Sequence, residues 1–108
     1  HLPVIVIIFN NGTLGMVRQW QTLIYHKRYS QTTLDRGPDF IKLAESYGHV
    51  GMRVEKPEEL KSAMEEAFAQ TKRLVFMDIR VDHTEHVYPM QIAGGSMRDM
   101  WLSKTERT

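Results

Sequence analysis

Val4-Ile5-Val6-Ile7-Ile8-Phe9 runs six residues without a polar position and then stops at Asn10-Asn11-Gly12. A β-branched run without alternation is the pattern of a parallel strand buried on both faces. The Asn-Asn-Gly stop is turn chemistry. Whatever follows must cover that strand. Leu14, Val17, Trp20, Gln21, Leu23 and Ile24 have a mostly helical spacing through about Tyr25. Residues 26–37 are polar, basic and turn-rich, and read as a loop. Pro38 suits the first turn of a second helix presenting Phe40, Ile41, Leu43, Ala44 and Tyr47, which Gly48 ends. Residues 49–54 make a short strand. Pro57 opens a third helix, with Glu58 and Glu59 where the helix dipole favours acids. Leu60, Ala63, Met64, Ala67 and Phe68 form a stripe that predicts a core face, with Phe68 among the buried residues. Residues 74–81 form another strand with a nearly continuous apolar start. From Asp82 onward no period is sustained.

Buried strands alternating with helices define an α/β chain: a partial three-layer αβα domain with a parallel sheet and right-handed crossovers. Three strands are few for a free-standing doubly wound domain, and His1 enters a strand almost at once. The expectation is a piece of a larger protein. Composition narrows the class further. The 42% apolar and 25% charged fractions are globular averages. A net charge of +1 from 14 basic and 13 acidic residues gives no footprint for nucleic acid. Zero cysteines exclude a disulfide scaffold, a thiolate zinc site and a Cys nucleophile. The longest apolar run falls far short of the ~20 residues of a membrane span.

In open α/β sheets, ligands bind beyond the carboxyl ends of the strands. The first such place is Asn10-Asn11-Gly12-Thr13-Leu14-Gly15. Two amides supply neutral oxygens, the glycines allow close backbone approach, and the next helix offers free N–H groups to a phosphate. Such a loop suits an oxygen-loving cation bridging protein to a diphosphate. It equally suits a plain strand-to-helix turn. Asn11-Gly12-Thr13 also spells a glycosylation sequon, but it abuts a buried strand. His83-Thr84-Glu85-His86 matches no metalloprotease spacing and reads as a solvated loop, as does His26-Lys27-Arg28. Trp20 stands between core packing and a site role.

Asn10-Asn11 followed by Leu14-Gly15-Met16-Val17-Arg18-Gln19-Trp20-Gln21 carries a resemblance. So do Pro38-Asp39-Phe40, Tyr47-Gly48-His49-Val50-Gly51, Glu85-His86-Val87-Tyr88-Pro89-Met90 and the closing Trp101 to Thr108. Together these stretches resemble the C-terminal end of the large catalytic subunit in the acetolactate synthase (acetohydroxyacid synthase) family, including its natural terminus. The resemblance implies the distal part of a thiamine-diphosphate-binding domain over residues 1–82 and a tail over 83–108 that closes over the active site. It implies thiamine diphosphate, Mg²⁺ and FAD as cofactors, the FAD held by a domain absent here. The implied reaction condenses two pyruvates, or pyruvate with 2-ketobutyrate, to acetohydroxyacids with loss of CO₂, opening valine, leucine and isoleucine synthesis.

By the same resemblance Asn11 gives a side-chain oxygen to Mg²⁺ and Thr13 its backbone carbonyl. Gly15 and Met16 lie near the cofactor, and Val17 and Trp20 line the substrate entrance, over which Ala93-Gly94-Gly95 would close. No catalytic residue falls in this stretch. The Gly-Asp-Gly that opens the family's metal motif is missing, and so is the activating glutamate of a neighbouring subunit, so the chain alone is expected to be inactive. The implied partners are the rest of the large subunit, further copies sharing active sites, a small regulatory subunit and small 2-keto acids, in a bacterial cytoplasm, without nucleic acid or membrane. The competing readings are another thiamine-diphosphate enzyme (a pyruvate oxidase or glyoxylate carboligase) and a non-enzymatic α/β interaction module.

Overall fold

The computed structural model describes residues 2–105. His1 and residues 106–108, the last of the predicted tail, lie outside the described residues. The chain forms two compact units, one of His1–Thr13 and Thr33–His83, the other of Leu14–Thr32 and Thr84–Thr108.

The first unit is built on three parallel strands, β1 (Ile5–Asn10), β2 (Val50–Val54) and β3 (Val75–Arg80), in the spatial order β1-β3-β2. Ile5 pairs with Val75 and Asn10 with Arg80, while Val50 also pairs with Val75, so the carboxyl ends of β1 and β3 finish together. The core is Val54, Ala67, Val75 and Met77, with Ile5, Met52, Ala63 and Met64 packed against it. The central strand is therefore β3. The expectation that the first apolar run is buried on both faces does not hold among the described residues. β1 is an edge strand, and its Phe9 is 73% exposed. Periodicity reports what a strand can bury; sheet order decides what it does bury.

Two helices belong to this unit. The first of them, α2 (Phe40–Ser46), starts two residues after Pro38, because Asp39 caps it: its carboxylate accepts from Ile41 N–H at 3.0 Å and Lys42 N–H at 3.3 Å. Those bonds, with the nearby Arg53 charge, hold the Asp39 carboxyl below its ordinary pKa. Gly48 ends the helix in the left-handed region, φ +74°. The helix lies tight on β2, since a Cβ at Gly51 would come within 2.8 Å of Ile41. The second, α3 (Leu60–Ala69), follows a single tight turn at Pro57–Glu59, where the Glu59 carboxylate accepts from the Glu55 and Lys56 N–H groups. Ala67 is fully buried, and Ala63 and Met64 face the core. Phe68 does not join them, being 69% exposed, and Leu60 is half-exposed. The buried stripe is narrower than the sequence pattern, having lost Leu60 at one end and Phe68 at the other.

Charge is buried here as well. Asp78, on β3, is 1% exposed and its Oδ2 meets Arg53 Nε at 3.3 Å and Arg80 Nε at 3.5 Å. Arg53 continues to Asp39 at 3.3 Å, tying β3, β2 and the cap of α2 into one ionic chain.

The second unit contains α1 (Gly15–Leu23) and two short antiparallel strands, β4 (Met90–Gln91) and β5 (Met100–Trp101). Residues 82–105 thus carry a strand pair that the sequence did not reveal, since two residues have no period. Helix α1 is shorter than predicted and faces the other way. Val17, Trp20 and Ile24 are exposed, and the buried residue is Gln19, at 1%. Its amide donates to the Val87 carbonyl at 3.0 Å and accepts from the Val87 N–H at 2.9 Å, so it replaces a strand partner for that residue. Met90 and Trp101, paired across β4 and β5, are buried too.

Candidate functional site

The loop after β1 is shaped by its own side chains. Asn10 Oδ1 accepts from the Gly12 N–H and Asn11 Oδ1 from the Thr13 N–H, both at 3.0 Å. Each amide mimics a backbone turn two residues on. Gly12 sits at φ +66° with open space where a Cβ would go, so glycine is favoured there by backbone strain and not by crowding. Thr13 pairs with Thr33 in an isolated antiparallel bridge. The bridge's hydrogen bonds are carried by the neighbours, Leu34 N–H to the Gly12 carbonyl and Leu14 N–H to the Thr32 carbonyl, each at 2.8 Å. In such a pair the central residue turns its own N–H and C=O outward. The Thr13 carbonyl is therefore not used by the bridge, and the buried Thr13 Oγ1 has no partner.

Two hard oxygens result. The Asn11 carboxamide oxygen has two lone pairs and spends one on Thr13, leaving the other for a cation; the Thr13 carbonyl supplies the second. Both are neutral. Among the described residues no group of three or more His, Cys, Asp or Glu side chains gathers to hold a metal. The donor set fits a divalent cation only as part of a larger shell with charged ligands from elsewhere. Beside the loop, at the carboxyl ends of all three strands, a cavity of about 340 Å³ is lined by Asn10, Asp35, Asp39, Arg53 and Arg80.

The other predicted site residues lie in the second unit. Met16, Val17 and Trp20 are each close to half exposed, on a helix whose buried anchor is Gln19. Trp20 and Ile24, one turn apart, line a pocket of about 230 Å³ with Met90, Ile92, Ala93 and Gly94. The structure thus brings Trp20 together with two of the three residues of the predicted closing segment. Sequence reasoning gave Gln19 no role, because it lies off the apolar spacing of the helix and a glutamine carries no period of its own. The Asp78–Arg53–Asp39 chain was also missed, since its members are 14 and 25 residues apart.

A loop with turn-mimicking amides and outward oxygens, at the carboxyl ends of parallel strands, lies where open α/β sheets bind their ligands. Residues 1–79 match the model of the thiamine pyrophosphate enzyme C-terminal TPP-binding domain, and the chain belongs to that family. It is 58% identical over 110 residues to the acetolactate synthase isozyme 3 large subunit of Escherichia coli, covering all of this chain and 19% of that protein. It is 58% identical over 105 residues to the acetolactate synthase large subunit of Haemophilus influenzae, covering 97% of this chain and 18% of that one. An acetolactate synthase of Mycobacterium bovis is 48% identical over 99 residues. The chain therefore spans about a fifth of the length of these curated relatives.

Proposed function

We propose that this chain serves as the C-terminal part of the large subunit of an acetolactate synthase, condensing two pyruvates, or pyruvate with 2-ketobutyrate, to acetohydroxyacids. The observation that carries the reading is the 58% identity, across the whole chain, to a large subunit of that name. Bound thiamine diphosphate supplies the electron-accepting carbon that lets a 2-keto acid lose CO₂, which no protein side chain here offers.

The chain's own residues bind and orient. Asn11 and the Thr13 carbonyl supply two neutral ligands to Mg²⁺, with Gly15 and Met16 beside the cofactor. The Asx turns at Asn10 and Asn11 fix those oxygens before any ligand arrives, which lowers the ordering cost of binding. Val17 and Trp20 form the apolar wall at the substrate entrance, and the shared pocket of Trp20 with Ala93 and Gly94 supports a closing role for the tail. Closure there excludes water from the reacting centre. The remaining Mg²⁺ ligand, the activating glutamate and the FAD domain come from the rest of the subunit and its copies, with a small regulatory subunit as a further partner. The setting is the bacterial cytoplasm; among the described residues, no helix is long and apolar enough to cross a membrane.

The test uses the full-length subunit containing this chain, supplied with Mg²⁺, thiamine diphosphate and FAD. Acetolactate from pyruvate is the expected product. Asn11→Ala should lower activity at limiting Mg²⁺ and recover part of it at high Mg²⁺ and cofactor, by mass action. Peroxide from pyruvate, or tartronate semialdehyde from glyoxylate, as the main product would overturn the reading in favour of the related enzymes.

A further inference from the structure

Helix α1 has a second working face, roughly opposite Trp20. Arg18 and Thr22, one turn apart, share that face, and Thr22 Oγ1 bonds the Arg18 carbonyl at 2.9 Å. The Arg18 guanidinium lies 4.5 Å over the ring of Tyr29, whose hydroxyl is 3.2 Å from Thr22 Oγ1. Stacking fixes the guanidinium plane and leaves its N–H edge available to an oxyanion. Arg18, Lys27, Tyr29, His86 and Lys104 are among the residues that line one pocket of about 490 Å³, wholly within the second unit.

The turn that delivers Lys27 is strained. His26 and Lys27 both sit in the left-handed region, at φ 52° and 60°, although neither is glycine. The Lys27 N–H bonds the Gln21 carbonyl at 2.9 Å, which holds the turn. Consecutive left-handed non-glycine residues are unfavourable and cluster where function positions a side chain. The pocket also disfavours extra positive charge: partial burial, then Lys104 and Arg18, push the His86 pKa down, against weaker raising contributions from Glu85. The Glu85 carboxylate reaches Lys104 at 3.8 Å and leaves the pocket with more cationic than anionic groups.

We propose that this pocket binds a small organic phosphate, its dianion held by Arg18, Lys27 and Lys104. Planar guanidinium and flexible ammonium donors are the usual pair for phosphate. The volume falls in the range of about 300–1,000 Å³ typical of small-molecule sites and exceeds what inorganic phosphate needs. Leu23 and the Tyr29 ring offer apolar contact to the organic part. The sequence alone assigned His26-Lys27-Arg28 to a wet loop; the fold takes Lys27 out of that cluster and gives it Arg18 and Lys104 as neighbours on one cavity. The site is separate from the Asn11–Thr13 loop, so the thiamine reading and this one stand or fall independently.

The experiment is calorimetric titration of the full-length subunit, saturated with Mg²⁺ and thiamine diphosphate so that the diphosphate loop is filled. Glycerol 3-phosphate should bind saturably, inorganic phosphate more weakly at the same place, and acetate should not compete. Lys27→Gln and Arg18→Gln should each weaken glycerol 3-phosphate about tenfold or more, as expected for losing a charge-assisted hydrogen bond. Lys27 is exposed, so its variant keeps the test open if Arg18→Gln unfolds the unit. Absence of saturable binding by the unsubstituted protein, binding indifferent to Lys27→Gln, or equal competition by acetate would each overturn the proposal.

Discussion

The two units of this chain solve the same problem by opposite means. The first closes on apolar side chains: Val54, Ala67, Val75 and Met77, all nearly inaccessible, lie between β2, β3 and α3. The second has Met90 and Trp101 as its buried apolar residues, and the residue that ties its helix to its tail is a glutamine. An apolar core tolerates approximate geometry, because its attraction has no direction. A buried amide with both ends bonded does not, since a small shift leaves two polar groups unpaired. The contrast shows in what each unit exposes. The first holds the Asx turns of its loop at the end of β1. The second leaves Val17 and Trp20 half exposed while Gln19 keeps their helix in register with the tail. Under the function proposed above, that exposed apolar side is what the helix offers a substrate.

The largest expected effect is in the first unit. Met77→Ala should cost about 2–5 kcal/mol of unfolding free energy, as buried large-to-small changes do. Urea denaturation measures it, and a loss below about 1 kcal/mol would mean that Met77 is not core. In the second unit, Gln19→Leu should cost about 1–3 kcal/mol despite its added apolar surface, because the Val87 N–H and carbonyl lose their partner. Faster amide exchange at Val87, with Val75 unchanged, would localise the damage; a stabilised variant would mean that the unit is held by apolar packing after all.

Trp20→Leu separates display from support. Under the function proposed above, in the full-length subunit it should lower the preference for 2-ketobutyrate over pyruvate by up to the ~10- to 200-fold that one methylene is worth to an apolar wall. A competition assay reading acetohydroxybutyrate against acetolactate gives the ratio, and an unchanged ratio with a lower melting temperature would make Trp20 a packing residue. The smallest effect belongs to Phe68. Its exposure predicts that Phe68→Ala in this chain changes stability by less than about 0.5 kcal/mol. A cost of several kcal/mol would restore the broad core stripe that periodicity suggested.

What was legible in the sequence follows the length scale of each signal. The three parallel strands and the helices α2 and α3 were readable because each repeats a local preference over five or more residues. The turn at Asn10-Asn11-Gly12 was readable because amides and glycine carry specific backbone chemistry. Burial was less so. The edge position of β1, which exposes Phe9, depends on sheet order, and sheet order is a property of the assembled strands. Phe68 and Ala67 are one residue apart, 100° around the helix, and only the packed sheet decides between them. The paired strands at Met90–Gln91 and Met100–Trp101 are too short for any period. At the site, the loop residues could be named in advance from a resemblance, but their oxygen geometry could not. It rests on the Thr13–Thr33 bridge, between residues whose pairing no motif announces.

The paired Asx turns of the loop also bear on how long it lasts. Asn11-Gly12 is the dipeptide most prone to spontaneous deamidation, in which the glycine nitrogen attacks the asparagine side-chain carbon and closes a succinimide. That would turn a neutral amide into a charged or backbone-rearranged group. In this loop the attacking nitrogen keeps its hydrogen pointed at Asn10 Oδ1, and the target amide oxygen is held by the Thr13 N–H. Closing the ring would have to break both bonds and swing the amide out of its turn. The neighbouring asparagine thus acts as a chemical preservative: it slows the ageing of the amide beside it.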